Sequence, residues 1–267
     1  MKIAINTVCM PELTWQEAFA ACKTAGFSDI ELLMVEGWSH VNLDTTPVGI
    51  VLEKAAKLGV RVVGVHAGGI DGTSQDGLAK TLRHIRRMMA LATDLGSERV
   101  VFSGFDWPAE LTDARRSEIL RLIAKGVSQI AEEAARRELK ICLENHCRCQ
   151  IETLEDYQVI FAHLAPDSPW IGATVDTGHF TASQVDPVAV VCGLGRRVLN
   201  VHVKDHVGTE SKGLGYGNTD NAAVVRALRE VGYDGYLTAE LEVHDRQNAL
   251  RYVREAYPYL ERLIAQP

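Results

Sequence analysis

The alternation of strand-like and helix-like segments along the chain is the feature that most restricts its fold. Eight short apolar runs, each followed by a helix-like segment, succeed one another without a Pro/Ser-rich linker or a low-complexity tract. Strands buried on both faces read as nearly continuous apolar runs, and strands that alternate with helices form parallel sheets. The runs are residues 2–6, 29–33, 60–66, 99–103, 139–144, 170–176, 198–204 and 236–241.

Local signals place helices between these runs. Thr14 and Glu17 form a capping-box pattern, and Gly26, Gly59 and Gly96 follow helix-like segments, as glycine often does at helix C-termini. The predicted helices are residues 14–25, 47–58, 74–95, 112–137, 154–164, 187–192, 221–231 and 246–264. Eight such units predict a single (β/α)8 TIM barrel over residues 1–267, with a doubly wound open sheet as the alternative.

Composition narrows the function classes. The apolar content of 46% is enough for a globular core, and the net charge of −7 without a long basic run argues against nucleic-acid binding. No apolar run approaches the roughly 20 residues that a membrane-spanning helix needs. The N-terminus reads as a strand instead of a cleavable signal, and the six cysteines form no Cys-x-x-Cys pair, so we expect a reducing cytoplasm.

Four consecutive strands in the second half of the chain end in polar residues. They are Glu144, Asp176, His202 and Glu240. Side chains at the carboxyl ends of barrel strands face the catalytic mouth, and the alternation along each run predicts that these four point inward. Three converging carboxylates would repel one another unless a divalent cation neutralised them. The set therefore predicts one metal ion, with Mn²⁺, Mg²⁺ or Co²⁺ favoured and Zn²⁺ as a further candidate.

The ordered motifs Leu-Glu-Asn-His, Val-Asp-Thr-Gly-His, Val-His-Val-Lys-Asp and Ala-Glu-Leu-Glu resemble those of the xylose-isomerase-like TIM barrels. That group includes sugar-phosphate isomerases and epimerases, inosose isomerases and dehydratases, hydroxypyruvate isomerases, ketose 3-epimerases and apurinic-site endonucleases. The resemblance implies that Glu144, Asp176, His202 and Glu240 bind the metal and that His179 contacts substrate. It also implies that Glu144 and Glu240 act as acid and base on opposite faces of the substrate.

The favoured function is a metal-dependent isomerase or epimerase of a small sugar-like compound, acting by proton transfer through a metal-stabilised enediolate. A dehydratase or lyase acting on an inosose-like keto-polyol is the alternative. An apurinic-site endonuclease is disfavoured, because Ser103 stands where that branch has a histidine. Ketohexose epimerisation is also in doubt, because Gln150 replaces the glutamate that the ketose 3-epimerases usually carry there. The predicted partner is a small molecule, and a homo-oligomer is an open alternative to a monomer.

Secondary candidates follow other strand ends. His66 is a candidate for binding substrate or a second metal, with a hydrogen-bonded rim histidine as the alternative. Lys204 is a candidate for holding a substrate oxygen or phosphate, or for a salt bridge to an acid at the mouth. Trp107 either stacks on the substrate or packs under a helix. His146 and His206 are predicted to be surface loop residues.

The segment Gly213–Asp220 has several glycines but lacks the register of a dinucleotide-binding motif. We expect a mobile loop over the mouth, with Asn218 or Thr219 as the N-cap of the helix that follows.

Overall fold

The computed structural model describes residues 1–35, 38–165 and 168–266, and its centre is a closed barrel of parallel strands. Each strand pairs with its neighbours in sequence, and the first strand pairs with both the second and the eighth, which closes the sheet. Closure confirms the (β/α)8 TIM barrel over the open, doubly wound sheet. The barrel strands are β1 Lys2–Asn6, β2 Asp29–Val35, β3 Arg61–Ile70, β4 Arg99–Gly104, β5 Lys140–Glu144, β6 Ile171–Asp176, β7 Val198–Val203 and β8 Tyr236–Ala239.

The helices lie outside the barrel, and most begin and end where the sequence signals place them. Thr14 and Glu17 form the predicted capping box, and Gly59 ends its helix with φ of 65°. In the described part of the chain, no helix is long and apolar enough to cross a membrane. The helices are α1 Trp15–Thr24, α2 Val48–Leu58, α3 Gln75–Asp94, α4 Asp113–Arg136, α5 Leu154–Phe161, α6 Thr177–Ala182, α7 Pro187–Leu194, α8 Asn221–Glu230 and α9 Ala249–Ala265.

Two helices, α6 and α7, follow β6 where the sequence predicted one. The additional helix α6 begins directly after Asp176, whose carboxylate accepts a hydrogen bond from the His179 N–H at 2.7 Å. A helix of six residues is too short to show an amphipathic period, which is why the pattern missed it. This helix fixes Asp176 and places His179 beside the barrel mouth.

The segment after β7 contains a hairpin and side-chain contacts that the sequence did not predict. A short antiparallel hairpin pairs Asp205–Val207 with Glu210–Lys212. The Asp205 carboxylate then accepts hydrogen bonds from the N–H groups of Gly215 at 2.9 Å and Thr219 at 3.0 Å, which connect the glycine-rich segment to the hairpin. The prediction that Asn218 or Thr219 caps α8 was wrong, because Asp220 is the N-cap and accepts the N–H of Ala223.

Strand register brings the polar strand ends to one side of the barrel. Asp176 pairs with His202 across β6 and β7, and His202 pairs with Thr238 across β7 and β8. Glu144 ends β5 beside Thr174 of β6. Because parallel strands all end on the same side, these residues form one ring around the mouth.

Two glycines give a matched test of this packing. A Cβ at Gly172, inside β6, would lie 2.3 Å from the backbone oxygen of Arg197 and 2.6 Å from Leu199 Cγ, whereas a Cβ at Gly49 in α2 meets nothing within 4 Å. We expect Gly172→Ala to lower the free energy of unfolding by about 1–3 kcal/mol. Gly49→Ala should raise it by about 0.5–1 kcal/mol, because alanine is the better helix former. Urea unfolding measures both, and a neutral Gly172→Ala would contradict the close strand packing.

Candidate metal centre and active site

Side chains from β5 to β8 meet at the carboxyl end of the barrel. His202 Nδ1 lies 2.9 Å from Glu240 Oε2 and 4.0 Å from Asp176 Oδ2, and it contacts Glu144 Oε1. One ligand atom from each of these four residues lies within 4.8 Å of the others. All four residues are at most 2% exposed. The structure therefore brings together the four strand-end residues that the sequence singled out.

The electrostatics of this group fit a divalent cation. Burial, together with Glu144 and Glu240, raises the pKa of Asp176 to about 8 in spite of the nearby Lys204. Burial alone would lower the pKa of His202, but Glu240, Glu31 and Glu144 raise it well above its usual value. These shifts show how strongly the carboxylates repel one another and attract positive charge.

Two carboxylate oxygens in the group lack hydrogen-bond donors. Asp176 Oδ2 and Glu240 Oε2 are buried and accept no hydrogen bond, although Lys204 Nζ lies 3.2 and 3.1 Å away at an unsuitable angle. Buried polar atoms normally have a partner, and an exception often marks a place where an ion binds. The residues present are thus suited to a divalent ion with oxygen and imidazole ligands.

A buried glutamate that the sequence analysis did not single out holds His202 in place. Glu31 Oε1 lies 2.7 Å from His202 Nε2 and accepts a hydrogen bond from Asn6 Nδ2 at 2.9 Å. Arg99 Nε, 3.3 Å from Glu31 Oε2, balances the carboxylate charge. A carboxylate behind a histidine fixes which ring nitrogen faces a ligand site. Here it leaves Nδ1 facing Glu144, Asp176 and Glu240.

Asn145, for which the sequence predicted no role, supports Asp176. Its side chain bonds both backbone groups of Asp176: Oδ1 accepts the N–H at 2.8 Å and Nδ2 donates to the carbonyl at 3.0 Å. Asn6 likewise donates to Glu240 Oε1 at 2.9 Å. Both amides therefore position carboxylates of the four-residue group.

His66 lies between the two proposed acid and base residues. Its Nε2 is 3.2 Å from Glu144 Oε2, and its Nδ1 is 3.6 Å from Glu240 Oε1. Neither contact is aligned as a hydrogen bond, so both ring nitrogens lack a partner within the described protein. His66 also lines the cavity at the mouth, a position open to a substrate oxygen.

Lys204 and His179 form the other side of the mouth. Lys204 Nζ donates to Glu242 Oε2 at 2.6 Å and to His179 Nε2 at 2.9 Å. An ammonium group can only donate, so His179 Nε2 is the acceptor and the ring hydrogen is on Nδ1. Burial, with the positive charge of Lys204, lowers the pKa of His179 well below its usual value, so this imidazole is neutral.

A cavity of about 220 Å³ opens over these groups. His66, Glu144, His179, Lys204 and Glu240 line it, together with Phe105, His146 and Glu242. Phe105 lines this cavity and is 46% exposed, so it is an aromatic side chain at the mouth. The ring of Trp107 instead lies under the Arg116 guanidinium at 4.6 Å and packs against the core.

Two histidines that the sequence predicted to be surface loop residues, and Gln150, lie near the mouth. His206 is buried, and burial together with Lys204 lowers its pKa to about 4, so its placement on the surface was wrong. His146 lines the cavity, with its ring 3.7 Å from that of His179. Gln150 is fully buried: its Oε1 accepts the N–H of Gly72 at 2.8 Å and its Nε2 donates to the Asp106 carbonyl at 3.2 Å. Gln150 therefore joins three loops.

Curated relatives match only part of their own length. The chain is 23% identical to the rhizopine catabolism protein MocC of Rhizobium meliloti, over 66% of this chain and 62% of that protein. It is also 23% identical to the inosose dehydratase of Clostridium tetani, over 66% of this chain and 60% of the dehydratase. The chain thus spans less than two thirds of the length of either protein.

Solved structures match over nearly the whole chain. The IOLI protein with a binding zinc atom superposes with a TM-score of 0.86 at 17% identity, covering 99% of this chain and 98% of that one, which shows a shared fold. A D-tagatose 3-epimerase-like protein superposes with a TM-score of 0.80 at 26% identity, covering 98% of each chain. The family profile described as xylose isomerase-like TIM barrel matches residues 19–263. The chain therefore belongs to the xylose isomerase-like TIM barrel family.

Proposed function

We propose that this protein is an enzyme that uses one divalent metal ion to isomerise or epimerise a small sugar-like carbonyl compound. The observation that carries the proposal is that Glu144 and Glu240 both contact His202 Nδ1 and both line one small cavity. The dehydratase and epimerase names among its relatives support an enzyme of polyhydroxylated substrates.

The residues that would hold the ion are Glu144, Asp176, His202 and Glu240. Mn²⁺, Mg²⁺ and Co²⁺ suit this donor set, and Zn²⁺ is a further candidate, supported by the zinc atom of the IOLI protein. When bound, such an ion would polarise the substrate carbonyl and make the neighbouring C–H more acidic.

The two glutamates would then move the proton. One carboxylate removes the hydrogen from the carbon next to the carbonyl, which leaves an enediolate. The other, as a carboxylic acid, returns a proton to the adjacent carbon in an isomerisation or to the opposite face in an epimerisation. His66, whose ring nitrogens have no hydrogen-bond partner within the described protein, and the neutral His179 would each hold a substrate oxygen.

A dehydratase acting on an inosose-like keto-polyol is the second candidate, and the inosose dehydratase matches favour it. The first step is the same proton removal, after which the β-hydroxyl leaves as water instead of a proton being returned. Gln150 supports this candidate over a ketose 3-epimerase, because its amide is engaged by Gly72 and Asp106 and supplies no carboxylate.

Size and charge support a small-molecule partner. A cavity of about 220 Å³ suits a sugar-sized compound, and the net charge of −7 disfavours nucleic acid.

We also propose a cytoplasmic location, supported by six free cysteines. The single domain over 1–267 and the homo-oligomer remain predictions.

Turnover in D₂O tests the function and separates its two forms. We expect the Mn²⁺-loaded protein, given a panel of ketoses, aldoses, inososes and their phosphates, to convert at least one compound with deuterium entering beside the carbonyl. An isomerase or epimerase returns a product of the same composition, whereas a dehydratase returns one lighter by a molecule of water. Turnover without any deuterium uptake would contradict solvent-exchanging proton transfer, and no turnover on any compound would remove the proposed substrate class.

A further inference from the structure

The ammonium group of Lys204 lies in surroundings that resemble a metal coordination shell. Its Nζ is 2.6 Å from Glu242 Oε2, 2.9 Å from His179 Nε2, 3.1 Å from Glu240 Oε2 and 3.2 Å from Asp176 Oδ2. Three carboxylates and one imidazole around a single atom form the same kind of donor set as the proposed metal centre. Two of these residues, Asp176 and Glu240, belong to both groups.

Four side chains of the protein contact this ammonium group. Two of the three N–H donors of Lys204 are directed at Glu242 and His179, while Asp176 Oδ2 and Glu240 Oε2 lie 3.2 and 3.1 Å away and attract the charge without accepting a hydrogen bond. A substrate oxygen that bound Lys204 would compete with these four groups. The geometry therefore makes Lys204 a fixed charge within the site before any substrate enters.

Ligands for a second ion are present around this position. His146, His179 and Glu242 each offer an atom, and these atoms lie within 4.8 Å of one another. His179 and Glu242 are the two residues to which Lys204 donates. A metal ion that used His179 Nε2 and Glu242 Oε2 would have to displace the ammonium group, because both positive charges would compete for the same lone pairs.

We propose that Lys204 is a built-in second cation, which takes the place of a second metal ion at the position of His146, His179 and Glu242. This rests on the proposed metal centre. Its chemical consequence concerns hydrolysis: paired metal ions clamp the attacking and leaving oxygens of a phosphodiester, and an ammonium group without a free coordination position cannot do so. Lys204 thus keeps a metal ion out of that position while holding the carboxylates of Asp176, Glu240 and Glu242 close together.

Metal stoichiometry tests the proposal without using activity. Wild-type protein, Lys204→Met and the double variant Lys204→Met/Glu242→Gln are equilibrated with excess Mn²⁺ and analysed for metal per chain. We expect about one ion in the wild type, about two in Lys204→Met, and about one again in the double variant, which lacks a ligand of the new position. Electron paramagnetic resonance should show coupling between neighbouring Mn²⁺ ions in Lys204→Met alone.

Each other outcome has a definite meaning. Two ions in the wild type, or one in a folded Lys204→Met, would overturn the second-cation role. No ion in the wild type, with or without one in Lys204→Met, would refute the proposed metal centre and with it the second-cation role that rests on it. If Lys204→Met does not fold, Lys204→Gln gives the same comparison. Two Mn²⁺ ions per chain in the wild type would overturn the proposal even without either variant.

Discussion

Glu240→Gln and Glu144→Gln are each expected to lower turnover by about 10²-fold to 10⁴-fold, because each removes a carboxylate that the proposed proton transfer uses. Glutamine keeps the size of the side chain. At position 240 its carbonyl can still accept the hydrogen bond that Asn6 Nδ2 donates at 2.9 Å, so the barrel should fold. Initial rates on a converted substrate, together with the melting temperature of each variant, measure the two effects.

Isotope exchange should separate the roles of the two glutamates. In D₂O, a variant that retains the proton-removing base can exchange the substrate hydrogen without forming product, whereas a variant that lacks this base does neither. We therefore expect NMR to show deuterium exchange at the substrate C–H with one of the two variants and no exchange with the other. Exchange at the wild-type rate in both would indicate a different base, and normal turnover in either would remove that glutamate from acid–base chemistry.

Metal loss must be distinguished from loss of the acid or base, because the same glutamates are proposed ligands. Both variants are assayed with metal in excess, and their metal content is measured. Glu98→Gln is the matched control: Glu98 is exposed and directly precedes β4, at the opposite end of the barrel. The same change of charge there should leave both turnover and metal content unaltered.

The sequence predicted the fold well because each unit has its own local signals. Continuous apolar runs, the Thr14–Glu17 capping box and glycines such as Gly59 depend on neighbours a few residues away. The ring of strand ends was also predictable, because β5 to β8 alternate inward and outward residues and all parallel strands end on one side. The four strand-end residues lie together, as that periodicity predicts.

The supporting contacts could not be predicted, because they join residues far apart in sequence. Glu31 lies 171 positions from His202, and Asn6 lies 234 positions from Glu240. Periodicity shows that Glu31 is inside an apolar strand, and a charge there is a signal that could have been used, but it does not name the partner. Likewise, the sequence offered a salt bridge for Lys204 without identifying Glu242, Asp176 and Glu240 as its acids.

Loop residues at the mouth were the least predictable. Phe105 and Trp107 are two positions apart, yet Phe105 lines the cavity and Trp107 packs under Arg116. His206 follows a strand end like a surface residue but is buried where the Asp205 hairpin folds back. Exposure in these loops depends on which segments cross over them, and no local period encodes that.

Asp176→Asn is expected to abolish metal-dependent stabilisation. In the wild type, saturation with ion at about 100 times the dissociation constant should add about 2.7 kcal/mol to the free energy of unfolding. For a chain of this size that corresponds to a rise of about 5–10 °C in melting temperature. Scanning with Mn²⁺, Mg²⁺, Co²⁺ or Zn²⁺ against a chelator measures the rise, and no rise with any of these ions would refute the metal centre.

Asp176→Asn should lose the metal-dependent stabilisation because of how its side chain must be oriented. Asp176 Oδ1 accepts the His179 N–H at 2.7 Å, so an asparagine must keep its carbonyl there to cap α6. Its NH₂ group then replaces Oδ2, the oxygen that accepts no hydrogen bond and faces Lys204 Nζ at 3.2 Å. A donor in that place binds no cation and repels the ammonium group, so the stabilisation by metal should disappear.

Asp220→Asn provides the matched control for Asp176→Asn. Asp220 caps α8 in the same way, by accepting the N–H of Ala223 at 2.9 Å, but it is exposed and outside the four-residue group. Its variant should keep the full metal-dependent rise in melting temperature. If Asp176→Asn kept that rise as well, the ion would have to bind elsewhere, and the proposal that the residues at the ends of β5 to β8 bind it would be refuted.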